Sequence, residues 1–452
     1  MRQTRRARRH GLGITHFARH IQREMEEDNV AKHASLRRLA SMTSVAAVLA
    51  WAGLAGIGGA AAAPTQQFHG VVKIGIIGAF TGTEGFLGPD LTSGVKTAGA
   101  EINAAGGILG RKVVFVSADD AGDAIDAVPA FRKMISVDKP AAIIGPFSMT
   151  GPAVMPLIRQ NHVPTFQIGG TTQLDHTRVN YFWRANASDD QEGTADAYWA
   201  IHQHYMTAAF AYTTDASAAT LEGPTRHAYT AHGGKIVITA NLAPDASSYR
   251  SDILKIMATH PQVVFFQQDP QTAGTFFNQA AQLGFDKQTH WIGTDVEFSA
   301  DVFKALGPTI ATTNMVFTNN SLENGQATTA FIRRYRALYH TKIAAVSAPQ
   351  GYDSLIAAAL AMQKAGTIDG ARWNSKITAV TNPPGIKVFT FGQGKRLLAN
   401  HRKINYEGVG SSVDFNQYHN VIGPFGVYYF GSDGSIKPLA NITSAKLKAF
   451  HP

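Results

Sequence analysis

Three carboxylates fall within five positions at Asp119, Asp120 and Asp123, directly after a β-branched run, Val113, Val114, Phe115 and Val116. At that density carboxylates can hold a divalent cation, share a proton as an acid–base pair, or cap a helix. A calcium loop needs a bidentate glutamate at its twelfth position, but counting from Asp119 reaches Ala130 and from Asp120 reaches Phe131. Among the 17 histidines no His-x-x-x-His pair has an accompanying glutamate, and His202 and His204, two apart, point to different faces of a helix. Ser148 lies in GPFSMTG, which is no nucleophile elbow and brings no identifiable histidine base. The glycines of Gly75, Gly78 and Gly82 are wrongly spaced for a dinucleotide turn. Neither an enzyme, a cofactor nor a metal is expected.

What the chain does offer is four short polar segments at the carboxyl ends of apolar runs: GPFSMTGP (145–152), IGGTTQ (168–173), QQDPQ (267–271) and GTDVE (293–297). In open α/β sheets that edge is where ligands sit, and hydroxyls beside free helix amides suit a small polar group. The elements that would position them alternate. VVKIGIIGAF (71–80) reads as a strand buried on both faces, followed by a helical period through Val95, Ala98 and Ile102 to the Gly106-Gly107 stop. Strand-like runs recur at 113–117, 141–145, 163–169, 207–213, 235–240, 263–268 and 290–294, with helical patterns between them. That alternation predicts βαβ crossovers and parallel sheets, and so many strands predict two α/β lobes. The helical patterns at 328–340 and 351–366 return after the second lobe, so more than one crossover is expected in the hinge.

Of 452 residues 44% are hydrophobic, enough for two substantial cores. The formal charge of +9 is concentrated: residues 1–63 hold 10 basic and 4 acidic residues, and the remainder is nearly neutral, without the basic and aromatic stripe that nucleic acid needs. Lys32, Arg37 and Arg38 precede an apolar run that ends in Ala60 to Ala63 and Pro64, the pattern of a secretory signal peptide with an extended basic front. The absence of cysteine excludes disulfides and a lipid-anchored cysteine after cleavage. A soluble, exported, periplasmic monomer is expected.

The ordered set KIGIIGAFTGTEGFLG, EINAAGGILGRKVVFVSADDAGD, IIGPFSMTG and GYDSLIAAALAMQKAG resembles the type I periplasmic solute-binding proteins of the leucine/isoleucine/valine-binding family, over residues 71 to about 436. The resemblance implies two Rossmann-like lobes with parallel central sheets joined by a multi-crossover hinge. It implies lobe 1 over 71–187 and 318–400, lobe 2 over 188–317 and 404–436, and a tail over 437–452. It makes the Asp119–Asp123 cluster a turn and helix cap. It also implies a carboxylate site at Ser148, Thr150, Gly169, Gly170 and Thr171, with Asp295 meeting an ammonium and Glu297 beside it. Gln268 and Asp269 stand as further candidate contacts, in a loop where the family often places Gly or Tyr. The aromatic residue often found near Asp215 to Gly223 is absent from DASAATLEG, and Ser411, Ser412 and Gln417 to Asn420 also depart from the pattern. The implied function is a receptor that delivers an amino acid, of branched-chain type, to the permease of an ABC importer. The same fold could serve an amide, urea or aromatic carboxylate, and an exported α/β enzyme is the alternative of another class. Export predicts a mature amino terminus between Ala63 and Gln66; terminal sequencing that finds Trp51 and its flanks retained in the secreted protein refutes it.

Overall fold

The computed structural model describes residues 67–452 except 83, 215, 324 and 342–346. The expected signal peptide over 1–63 lies outside the described residues. Lobe 1 opens with β1 (Val71–Gly78), α1 (Leu87–Ala104), β2 (Lys112–Asp119), α2 (Ala124–Lys133), β3 (Ala142–Ile144), α3 (Gly151–Asn161), β4 (Thr165–Gln167) and β5 (Phe182–Arg184). All five strands are parallel, in the order β2-β1-β3-β4-β5. β1 has strands on both sides and helices over both faces, which is why Ile74, Ile76 and Ile77 are all buried and why its sequence does not alternate.

The chain then crosses and builds α4 (Asp189–His202), β6 (Thr207–Thr213), α5 (Ala216–Ala231), β7 (Lys235–Leu242), α6 (Arg250–Ala258), β8 (Val263–Gln267), α7 (Pro270–Gln282), β9 (His290–Gly293), α8 (Ala300–Ala311) and β10 (Met315–Asn320). It returns to lobe 1 for α9 (Gln326–Tyr339), α10 (Ala348–Ala365), β11 (Ile386–Val388), α11 (Phe391–Ala399) and β12 (Ile404–Tyr406). It ends in the other lobe with β13 (Phe425–Phe430), β14 (Ile436–Ile442) and α12 (Ser444–Phe450). The second sheet runs β14-β13-β10-β9-β8-β6-β7, with β13 antiparallel to both of its neighbours. α10 is buried on every side from Ala348 to Met362, its polar Gln350, Asp353 and Ser354 included, and its apolar run from Leu355 to Met362 matches that burial. It reaches α1 closely because Gly94 has no side chain: a Cβ there would stand 1.9 Å from the Ala348 carbonyl oxygen.

These pairings move three expected boundaries. β10 belongs to the second sheet through Asn320, so residues 318–320 are not part of lobe 1. β12 pairs with β11 on the lobe 1 side, so the last crossing falls after Tyr406 and not before Ile404. Residues 437–452 are no tail, since β14 forms an edge of the second sheet and α12 buries Leu447 in a cluster with Phe425 and Ile442.

Three connections join the lobes, over residues 185–188, 321–325 and 407–424; backbone hydrogen bonds tie the second to the third, and the third to the end of β5 just before the first. Ser321 donates to the Pro424 carbonyl at 2.9 Å, Glu323 to Val409 at 2.7 Å, and Arg184 to His419 at 2.9 Å. The third connection is fixed by Asp353 on α10, fully buried, whose carboxylate accepts from the Tyr406 hydroxyl at 2.7 Å and from the amides of Val409 and Gly410 at 2.8 Å. Burial drives the Asp353 pKa up to about 7 against these bonds. Asp353→Ala leaves buried donors without an acceptor and should lower the urea midpoint by an amount equivalent to about 2–4 kcal/mol, with leucine at the same position no better; equilibrium unfolding measures it.

Candidate functional site

The Asp119–Asp123 cluster resolves into local structure. Asp119 accepts from the amides of Phe80, at 2.9 Å, and Ala121, at 2.9 Å, and from the Thr81 hydroxyl, at 2.7 Å, which together hold its pKa below the usual carboxylate value although partial burial, the largest single influence, pushes the other way. Asp123 caps α2 through the Ile125 amide at 2.6 Å, and Asp120 receives the Gly122 amide at 3.1 Å. Among the described residues no three His, Cys, Asp or Glu side chains are grouped so as to hold a metal ion.

On lobe 1, two loops at the carboxyl edge of the sheet meet. Ser148, half-buried beyond β3, accepts from the Thr171 amide at 3.1 Å. The approach depends on Gly169, where a Cβ would lie 2.1 Å from the Ser148 nitrogen. Gly170 is equally constrained, because a Cβ there would lie 1.9 Å from Asp189 Oδ1. Asp189 also donates its amide to the Gly170 carbonyl at 2.8 Å, so the first turn of α4 is locked to the lobe 1 loop. Thr150 stands apart from this group. It is buried, and its hydroxyl donates to Asp120 Oδ2 at 2.8 Å, which leaves no hydrogen for a ligand carboxylate.

On lobe 2, β9 ends in a turn whose capping box pairs Thr294 with Glu297. The Asp295 amide donates to Glu192 Oε1 at 2.8 Å, and its side chain is half-buried at the second sheet's carboxyl edge. Glu297 faces inward, accepting from the amides of Thr294 and Gln268, each at 2.7 Å. Gln268 is fully buried and sends Nε2 to the Ala211 carbonyl at 3.2 Å, tying β8 to β6. Asp269 caps α7 through the amides of Gln271 and Thr272. The contacts that place these two candidate residues are therefore with the ends of β6 and β8 and the start of α7.

The residues that sequence reasoning missed lie on α4. Asp189, Glu192 and Asp196 are spaced by three and four, hence on one helical face, and the signal was present in SDDQEGTAD. Asp189 accepts from the Thr220 hydroxyl at 2.6 Å, and the Thr318 hydroxyl is shared by Asp196, at 2.7 Å, and Glu192, at 3.3 Å. Burial pushes Asp189 up to about 6, and burial followed by the charges of Asp189 and Glu84 pushes Asp295 up to about 7. Glu297 rises to about 8, chiefly by burial, and burial likewise raises Glu192 and Asp196. A surface concavity of about 550 Å³ lies elsewhere, against Val71, Lys73 and His162 at the far edge of the first sheet, and includes none of these groups.

Two α/β lobes joined by three connections, each with polar loops at the carboxyl edge of its sheet, define a two-lobed α/β fold of the kind in which that edge is where ligands sit. The family model for periplasmic binding proteins matches residues 71–422, and the chain belongs to that family. An amino acid binding protein of Pseudomonas aeruginosa is 28% identical over 217 residues, 47% of this chain; the chain spans only 58% of that relative's length. A leucine-binding protein of Thermotoga maritima superposes with a TM-score of 0.69 at 19% identity, covering 82% of this chain and 99% of the other. A solute-binding protein of an ABC transporter from Rhodopseudomonas palustris, in complex with 3,4-dihydroxybenzoic acid, gives 0.64 at 19% identity, covering 83% and 98%. Members of the family are solute-binding proteins, and among the described residues no helix is long and apolar enough to cross a membrane.

The raised carboxyl pKa values fix a pH dependence for the unliganded protein. Asp189, Glu192, Asp196, Asp295, Glu297 and Asp353 bind protons more tightly folded than unfolded, so their contribution is fully present below about pH 4 and is lost as pH rises through the folded values. Two histidines depressed by burial, His290 and His419, oppose this below about pH 6.5 but are fewer. The melting temperature without ligand should therefore be higher near about pH 5.5 than near about pH 8, which scanning calorimetry in matched ionic strength tests.

Proposed function

We propose that this chain is the extracytoplasmic receptor of an ABC importer and binds an α-amino acid, of branched-chain type, between its lobes. The observation that supports this most is the placement of Asp295. It stands on lobe 2 with a carboxylate charge-coupled to Asp189, and Asp189 is packed on the Gly170–Thr171 loop that carries the Ser148 and Thr171 donors. A ligand bridging the two walls would meet hydroxyl and amide donors on one side and an anion on the other, which is the polarity of an amino acid backbone. Its carboxylate would compete for the Thr171 amide and accept a hydrogen bond from the Ser148 hydroxyl, and its ammonium would face Asp295. Gly169 and Gly170 keep that wall low. Closure of the lobes around the solute would then present the liganded form to permease subunits, with hydrolysis of nucleotide elsewhere.

An aromatic carboxylate is the second reading, favoured by the dihydroxybenzoate complex of the Rhodopseudomonas protein. The two readings differ at one residue. With an amino acid bound, Asp295→Asn leaves a buried ammonium without its anion, a loss of about 2–5 kcal/mol and so about 30-fold or more in affinity. Thr171→Ala removes a hydroxyl from a wall that keeps its other donors and should cost less. With an uncharged amide or an aromatic acid, the Asn variant should bind as well or better. Calorimetry of both variants against leucine, glutamine, urea and benzoate decides, and a tight leucine complex of Asp295→Asn would remove Asp295 from the site.

A further inference from the structure

Five carboxyl groups of the second lobe, Asp189, Glu192, Asp196, Asp295 and Glu297, act on one another through their charges, and among the described residues none of them is in a salt bridge. Asp295 touches Glu192 through its amide, Glu192 and Asp196 share the Thr318 hydroxyl, and Glu297 holds the Gln268 amide and the Thr294 turn. Asp189 closes the group at the cleft. Glu192, Asp196 and Glu297 are 4%, 0% and 0% exposed, so water does not screen them.

Among the described residues the compensation from surrounding elements reaches only Asp189, where the charge of Arg184 favours the ionised form but burial outweighs it. Arg184 on β5 is bound to Asp175, Arg226 on α5 to Glu222, and His451 beyond α12 to Asp190 on the outer side of α4. Glu84, on the loop between β1 and α1, adds negative charge toward Asp295, and Tyr212 on β6 faces Asp196, Glu297 and Glu192. Gln268 Oε1, fully buried where its own amide meets Glu297, has no donor. Anions in a dry interior persist only when paired, and otherwise take up protons.

We propose that this carboxyl group is a proton store coupled to the cleft: an ammonium arriving at Asp295 displaces a proton from it to solvent, and acidification returns the proton and releases the solute. The inference rests on the amino acid reading above. The exchange balances, since one positive charge enters beside Asp295 as one proton leaves, and the ligand's ammonium keeps its own hydrogens. Thr318 acts as a positioning residue, because its single hydroxyl hydrogen stabilises the ionised forms of Asp196 and Glu192 without reaching the solute.

The test is calorimetry of the intact mature protein with leucine in phosphate and in Tris, buffers of different ionisation enthalpy, near about pH 7. The heats should differ by an amount equal to release of up to about one proton, and affinity should fall at least about tenfold from about pH 7.5 to about 5.5, a window in which leucine itself does not titrate. Thr318→Val should move the midpoint of that profile to higher pH. Equal heats in the two buffers with flat affinity, or a Thr318→Val midpoint that does not move, overturn the proton store and leave the amino acid reading intact. If leucine, isoleucine, valine and glutamine all fail to bind at any pH, that reading falls and the proposal with it.

Discussion

One buried guanidinium ties the Gly170–Thr171 loop of lobe 1 to the third connection between the lobes. Arg184, with none of its surface exposed, donates Nη1 to the carbonyls of Gly170 at 3.1 Å and Thr171 at 2.9 Å, Nε to Asn420 at 2.9 Å, and Nη2 to Asp175. Those partners belong to the lobe 1 loop after β4, the turn after it and the third connection. A charge removed from water is tolerated only with such complete satisfaction, and any backbone that moves away from it leaves part of the guanidinium unpaired. Asp175 in turn accepts from Ser188 in the first connection, at 2.8 Å, so the same network reaches the start of α4. The position of Gly170 and Thr171 is therefore set from beneath by the hinge.

The two walls are built differently. Lobe 1 presents small residues and amides whose geometry depends on what is missing, the side chains of Gly169 and Gly170. Lobe 2 presents carboxyl groups whose state depends on burial, with Asp295 at the front and Glu192, Asp196 and Glu297 behind it. A dipolar solute suits that pairing because each end meets its electrostatic complement, whereas either wall alone would bind a simple ion weakly in water.

Much of this was legible in the sequence because long, strongly patterned segments carry their own evidence. β1, β6 and β8 are near-continuous apolar runs, and α10 carries an apolar run from Leu355 to Met362, so both lobes and the returning helices could be read directly. β5, β11 and β12 are three residues each, too short for any period, and their pairing is decided by tertiary contact. β14 contains Lys437 and Pro438 and reads as a tail, yet both are ordinary for an edge strand with one open side. At the site, the position of Ser148, Thr171 and Asp295 came from resemblance. The fate of Thr150 could not, because its partner Asp120 lies 30 residues away and only the folded sheet brings them together. The acidic face of α4 was visible as spacing, but nothing in the spacing says that the face turns inward.

The three side-by-side connections have a mechanical consequence. A single strand between two bodies permits bending, twisting and sliding alike, whereas three connections, the second bonded to the third and the third to the end of β5, resist the last two and leave one soft coordinate, the opening angle. A molecule with one soft coordinate converts the size of whatever it grips into a single number. Solutes that differ by a methyl group would then set different angles, and discrimination by whatever reads the receptor would need only to sense how far the jaws have closed.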